Sequence, residues 1–150
     1  MKPLFFALLC ASSSLVACDN DEQDIAPDKV PTEVTAALAK AFPNATDLEW
    51  EKKAADYEAD FDINTVEHSA LLSASGEILL QKRDIVATEL PEPVKMSISQ
   101  NYAAYRIDDA EVVEKDGTLF YQVDLEKNNT EQKVVLAADG QVQNKMTYWD

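Results

Sequence analysis

Cysteine, histidine, glycine and basic residues are all scarce in this chain of 150 residues. The two cysteines, Cys10 and Cys18, lie close to the N-terminus, so the rest of the chain has no disulfide and depends on packing for its stability. One histidine, His68, and three glycines provide no zinc cluster, CxxC motif or glycine-rich phosphate loop. We therefore predict no metal and no cofactor.

Positive charge is equally limited, with 13 Lys and Arg against 28 Asp and Glu and a formal net charge of −15. Phosphate binding requires the opposite sign, so the charge argues against a nucleic-acid partner. A hydrophobic content of 46% nevertheless allows an ordinary core. The length and composition suit one acidic globular domain or two very small ones.

Residues 1–17 have the pattern of a signal peptide, with Lys2 at the start, an apolar stretch over residues 4–9 and small polar residues before the end. The apolar stretch is too short for a permanent membrane span. Leu-Val-Ala-Cys at residues 15–18 resembles the lipobox of bacterial lipoproteins. That resemblance implies cleavage after Ala17 and a lipid on Cys18 that attaches the protein to a membrane; the alternative is a plain secretory leader.

Residues 18–30 are predicted to form a lipidated acidic tether, because residues 19–28 are rich in Asp and Glu and nearly lack apolar side chains. Asp19 resembles an inner-membrane retention signal, whereas Asp21 with Glu22 resembles a signal for export to the cell surface. We therefore expect a lipid-anchored protein of the cell envelope, on the periplasmic or the surface-exposed side of a membrane.

Residues 31–150 contain one pattern twice. Residues 32–42 carry apolar side chains at helical spacing, with Thr32 as a suitable N-cap and Pro43 as the stop, and residues 92–105 repeat this pattern 60 positions later. The two apolar stripes are Val34, Leu38 and Phe42, and Val94, Ile98 and Tyr102. Each half therefore begins with an amphipathic helix.

Strand patterns follow each helix. Apolar and acidic residues alternate over residues 46–52 and 57–63, and again over residues 121–125 at an offset of 64. Glycine turns at Gly76 and Gly140 each separate two further predicted strands. The change of offset from 60 to 64 predicts a longer loop after the second helix, at residues 105–108.

These patterns predict an α+β fold in which two tandem repeats, residues 31–90 and 91–150, form one continuous antiparallel sheet with both helices on one face. A unit of about 60 residues is marginal alone, so we expect the two halves to fold together.

The order of these features resembles the PepSY-like family, which is related to beta-lactamase inhibitor protein. The resemblance rests on seven short stretches of sequence and on their repetition. They are residues 34–42, Pro43-Asn44-Ala45, Leu48-Glu49-Trp50, residues 57–61, Ser75-Gly76, Leu90-Pro91 and Asp139-Gly140. It implies protein binding in general and brings no catalytic residues.

Catalytic sites are poorly supported by the residues themselves. His68 and its neighbour Ser69 point to opposite faces of a strand and cannot form a nucleophile–base pair, although a distant Ser97 or Ser99 stays an alternative. Carboxylates at alternate positions could act as acid and base, but the alternation favours a solvated acidic surface. Its members, which form the candidate binding face, are Glu49, Glu58, Asp60, Asp62, Asp124 and Glu126.

The C-terminal aromatics leave two possibilities open. Phe120 is out of phase with Tyr121, and Tyr148 with Trp149 could be exposed contact anchors or part of a last strand tucked under the sheet. We expect a non-enzymatic envelope lipoprotein that binds a protein or peptide through the polar sheet face, with a possible inhibitory or regulatory role. The alternative is a structural or assembly component of an envelope complex.

Overall fold

The computed structural model describes residues 22–150. The elements are β1 (Glu22–Asp24), α1 (Thr32–Ala41), β2 (Thr46–Lys53), β3 (Asp56–Ile63), β4 (Val66–Leu72), β5 (Ile78–Asp84), α2 (Glu92–Asn101), β6 (Arg106–Lys115), β7 (Thr118–Lys127) and β8 (Thr130–Ala137). Short 3₁₀ helices at Pro27–Lys29 and Ala87–Glu89 precede α1 and α2. The leader, Cys18 and residues 19–21 lie outside the described residues, so the lipidation of Cys18 stays a prediction.

The eight strands form one antiparallel sheet in the order β1 to β8, and both helices pack on the same face. The predicted α+β fold with one continuous sheet is therefore confirmed. Within residues 22–150 neither helix has the length or the apolar character needed to cross a membrane.

Each helix covers its own hydrophobic cluster. In the first half Val34 and Leu38 of α1 pack with Trp50 and Phe61, and in the second half α2 packs on strands β6 to β8 in the same way. Thr32 is the first helical residue and not the N-cap, because the Pro31 carbonyl already accepts the N–H groups of the first turn. The second helix ends at Asn101, four residues earlier than predicted, since Tyr102 leaves the helical conformation.

The expectation that the acidic residues 19–28 do not order themselves is wrong over residues 22–28, whereas the lipidated tether stays a prediction. Strand β1 pairs with β2, with Asp24 opposite Glu51. In the second half the end of β5 pairs with β6 in the same way, with Asp84 opposite Glu111. Main-chain hydrogen bonds order this acidic segment, and the buried Val30 anchors it. Each structural repeat thus begins with a strand before its helix, and β5 belongs to the second repeat.

The predicted loop at residues 105–108 is also wrong, because β6 already begins at Arg106. The four additional residues lengthen the β6–β7 hairpin by two residue pairs, Glu114–Leu119 and Lys115–Thr118. An even number of added residues on each strand preserves which side chains face the helices.

The two glycine turns pack against the first turns of the helices. A Cβ on Gly76 would lie 2.7 Å from the Glu33 carbonyl oxygen, and one on Gly140 would lie 2.4 Å from that of Pro93. Both glycines have φ of +85°. The predicted strand after Gly140 is wrong, however: it is reduced to a single bridge at Val142, and the chain then crosses the other face of the sheet.

Candidate functional site on the outer face of the sheet

The sheet face opposite the helices, here called the outer face, carries the six predicted carboxylates. Ala59 and Phe61 point to the helices, which places Glu58, Asp60 and Asp62 on the outer face, and the pairings place the other three there as well. Only Glu49 is fully exposed, while Asp60, Asp62, Asp124 and Glu126 are half-buried.

The expectation of solvent exposure is wrong for Glu58, which is only 5% exposed. The C-terminal segment, residues 138–150, covers it: the indole Nε1–H of Trp149 donates to Glu58 Oε2 at 3.0 Å. Burial raises the pKa of Glu58, an effect that the indole hydrogen bond and the nearby Lys53 ammonium partly offset.

The main chain of Trp149 is bound by the side chain of Gln122, which is 0% exposed. The Trp149 N–H donates to Gln122 Oε1 at 2.8 Å, and Gln122 Nε2 donates to the Trp149 carbonyl at 2.9 Å. Gln122 Nε2 also donates to Glu111 Oε2 at 2.7 Å, and Lys82 pairs with Glu111 at 2.8 Å while donating to the same Trp149 carbonyl at 3.2 Å. Buried polar groups of β5, β6 and β7 therefore form one connected network around one residue of the C-terminal segment.

Next to Trp149 lies an open groove of 530 Å³, here called the tail groove. It is lined by the C-terminal residues 148–150 and by Glu51, Lys53, Glu58, Asp60, Glu67, Ser69, Leu71 and Lys82. Acidic side chains outnumber lysines along this lining, so the groove favours a ligand with positive charge.

Three further carboxylates cluster beside the network. The carboxylate oxygens of Asp84, Asp109 and Glu111 lie within 4.8 Å of one another, a set of donors able to hold a cation, although Glu111 is already paired with Lys82. Burial and the neighbouring Asp109 raise the pKa of Asp84 to about 6. Burial, Glu111 and Asp109 also hold the pKa of the Tyr148 hydroxyl well above its usual value.

His68 lies on the opposite, helix-facing side of the sheet, stacked on Phe61 with ring centroids 5.6 Å apart. Burial and the neighbouring Arg83 lower its pKa. Ser69 is buried on the outer face, and Ser99 donates to the Met96 carbonyl of its own helix. Within residues 22–150 the arrangement therefore brings no serine together with His68.

A second opening lies on the helix side, over the strip of sheet between the two clusters, with a volume of 290 Å³. His68, Gln81 and Arg83 line it together with Phe42, Val112 and Leu119. Among the described residues its lining shows one polar side-chain pair, in which Gln81 Nε2 donates to Glu114 Oε2 at 2.8 Å.

Sequence reasoning missed Gln122, Glu111 and Lys82 because each occupies an ordinary polar position of an alternating strand. A signal was present at Val113 and Phe120, two apolar residues that pair on the outer face where polar residues were expected. Val113 is completely buried there. Apolar residues on a polar face indicate that something covers it.

The chain matches the family model described as "Putative beta-lactamase-inhibitor-like, PepSY-like" twice, over residues 16–79 and 72–144. It therefore belongs to the PepSY-like family. The two matches correspond to the two structural repeats. Among curated proteins, none matches the sequence.

Solved structures with the same fold come from Bacteroides. A DUF2874 family protein from Bacteroides uniformis is 21% identical, with a TM-score of 0.70, over 75% of this chain and 85% of that one. A protein from Bacteroides eggerthii described as periplasmic is 20% identical, with a TM-score of 0.71 and the same coverage. A BLIP-like protein from Bacteroides fragilis is 22% identical, with a TM-score of 0.65, over 79% of this chain and 92% of that one.

Proposed function

We propose that this protein is a non-enzymatic lipoprotein of the cell envelope, anchored through a lipid on Cys18, whose outer sheet face binds a protein or peptide partner. One observation carries the proposal. The outer face already binds a peptide, the C-terminal segment, through hydrogen bonds between its main chain and Gln122 and Lys82 and from its indole to Glu58.

The fold also supports binding of a protein or peptide by the outer face. A continuous antiparallel sheet with both helices on one face leaves the opposite face free of helices, and the part of it that the C-terminal segment does not cover is available for contact with a partner. The family description and the BLIP-like relative point to protein binding, and the relative described as periplasmic agrees with a place in the envelope.

The charge of the outer face defines the partner in general terms. Glu49, Asp60 and Asp62 lie together on β2 and β3, next to the tail groove. A partner that docks here presents Lys or Arg, and its binding weakens at ionic strengths at which the Debye length falls below about 8 Å.

Capture of partners from native envelope tests the proposal. Tagged mature chain is compared with the double variant Glu49→Lys/Asp62→Lys, and with the control Glu33→Lys/Glu92→Lys, which makes the same charge change at exposed helix positions. We expect the outer-face variant alone to lose a specific partner while keeping a native thermal melt. Equal capture by all three proteins would contradict the proposal.

A further inference from the structure

We propose that the site formed by Gln122, Lys82 and Glu58, together with the adjoining tail groove, is a receptor for a tryptophan-bearing segment of the partner, and that the chain's own Trp149 occupies this site until that segment displaces it. The inference rests on the proposed function and names the chemical class of the partner: a polypeptide segment with a tryptophan and a basic residue beside it.

The hydrogen bonds divide recognition into two parts. Gln122 bonds only to the N–H and carbonyl of one residue, which any amino acid except proline offers, whereas Glu58 accepts from an N–H donor on that residue's side chain. Among apolar side chains only the indole of tryptophan provides such a donor. The site is thus built for tryptophan within a polypeptide chain.

The receptor is held in place independently of the C-terminal segment. Glu111 fixes the Gln122 amide from the sheet side at 2.7 Å, and Lys82 fixes Glu111 at 2.8 Å. Burying such polar groups is costly unless they are hydrogen-bonded. When Trp149 leaves, Gln122 loses both of its bonds to main chain, so the site favours a replacement that restores the same donor and acceptor.

The C-terminal segment is bound in a way that permits exchange. Residues 138–150 form no strand, and their main-chain pairing with β8 involves only residues 140–143, through the turn at Gly140, the Val142 bridge and the Gln143 hydrogen bond to Val135. Trp149 remains only half-buried, and the ion pair of Lys133 with Asp150 is exposed and therefore weak. Release is thus a local opening that leaves the sheet intact.

The tail groove is the reason why we place a basic residue next to the tryptophan of the partner segment. Asp60 and Glu67 line open space next to the indole, together with Glu51, which is paired with Lys53 at 2.6 Å. A Lys or Arg flanking the partner's tryptophan would lie against these carboxylates, which the chain's own Asp150 does not do. The partner segment thereby gains an interaction that the C-terminal segment lacks.

A peptide with the sequence of residues 143–150, labelled with a fluorophore at its N-terminus, serves as the probe, and fluorescence anisotropy measures its binding to the full mature chain. The covalently attached segment competes at a high effective concentration, so we expect Trp149→Ala to bind the peptide at least about tenfold more tightly than wild type. Adding Glu58→Ala to that variant should weaken binding, whereas the control Glu33→Ala, which removes an exposed carboxylate from α1 on the other side of the sheet, should not. A peptide in which alanine replaces the tryptophan should not bind.

Absence of peptide binding to folded Trp149→Ala chain at concentrations up to about 1 mM would overturn the inference. Binding that is indifferent to the peptide's tryptophan or to Glu58→Ala would overturn it as well. The envelope capture with charge variants is independent of this assay. Continued capture that depends on Glu49 and Asp62, together with failure of the peptide to bind, would remove the tryptophan receptor and leave the proposed function standing.

Discussion

Leu38→Ala is the substitution that tests most directly whether the two repeats form one cooperative unit. Leu38 is 2% exposed and lies at the centre of the cluster under α1. Truncation of a fully buried leucine typically costs about 2 to 5 kcal/mol, because transfer free energy is lost and a cavity remains. That cost is a large part of the roughly 5 to 15 kcal/mol that stabilises a small domain.

The two hydrophobic clusters are separate, and the repeats are joined by the sheet and by the hydrogen bond of Trp149 to Glu58 on the outer face. Strand β5 pairs with β4 of the first repeat and with β6 of the second. Loss of the first repeat would therefore expose the backbone edge of β5. We expect Leu38→Ala to destabilise both repeats together and to lower Tm by roughly 4 °C for each kcal/mol lost.

Hydrogen exchange resolved along the chain measures this, with Lys40→Ala at an exposed position of the same helix as the control. Faster exchange throughout β2 to β8 in Leu38→Ala would support one cooperative unit. If residues 22–72 exchange rapidly while residues 85–137 keep their native protection, the reasoning is refuted.

Three further predictions concern the outer face, the turns and the anchor. The pKa of Asp84 is raised to about 6 in the folded state, so ionisation of this carboxyl opposes folding as the pH rises through that value. Asp84→Asn should therefore raise Tm more at pH ~7.5 than at pH ~4.5, and an equal gain at both pH values would contradict this. Gly140→Ala should lower the free energy of unfolding, measured with denaturant, by about 1 to 3 kcal/mol, because the added Cβ would meet the Pro93 carbonyl. Gly117→Ala, which has open space around it, should cost clearly less, and equal costs would refute the close-packing argument. Cys18→Ala should release the protein from the membrane fraction, and retention after washing in high salt would disprove lipidation there.

Local periodicity was sufficient to predict much of the fold. The spacing of Val34 and Leu38 located α1, and the alternation around Phe61 predicted which strand face turns to the helices. These features follow from each residue's immediate neighbours in sequence, and the burial of one face enforces them.

The features that could not be predicted depend on distant partners. Strand β1 is acidic and only three residues long, and the neighbouring strand β2 orders it through its main chain. The contact between Trp149 and Glu58 joins residues 91 positions apart, and neither local pattern nor composition encodes it. Because this distant contact covers Glu58, the alternating pattern predicts an exposed side chain whereas the fold buries it.

Site-specific photo-crosslinking in living cells tests the central claim, that the outer face binds a protein partner. A photoreactive amino acid is placed at Asp60 on the outer face and, for comparison, at Lys40 on the exposed side of α1. The account predicts a discrete crosslinked polypeptide from position 60 and none from position 40. A crosslink at position 40 alone would contradict the claim, and so would the absence of any adduct at position 60 in cells that contain the folded, exported protein.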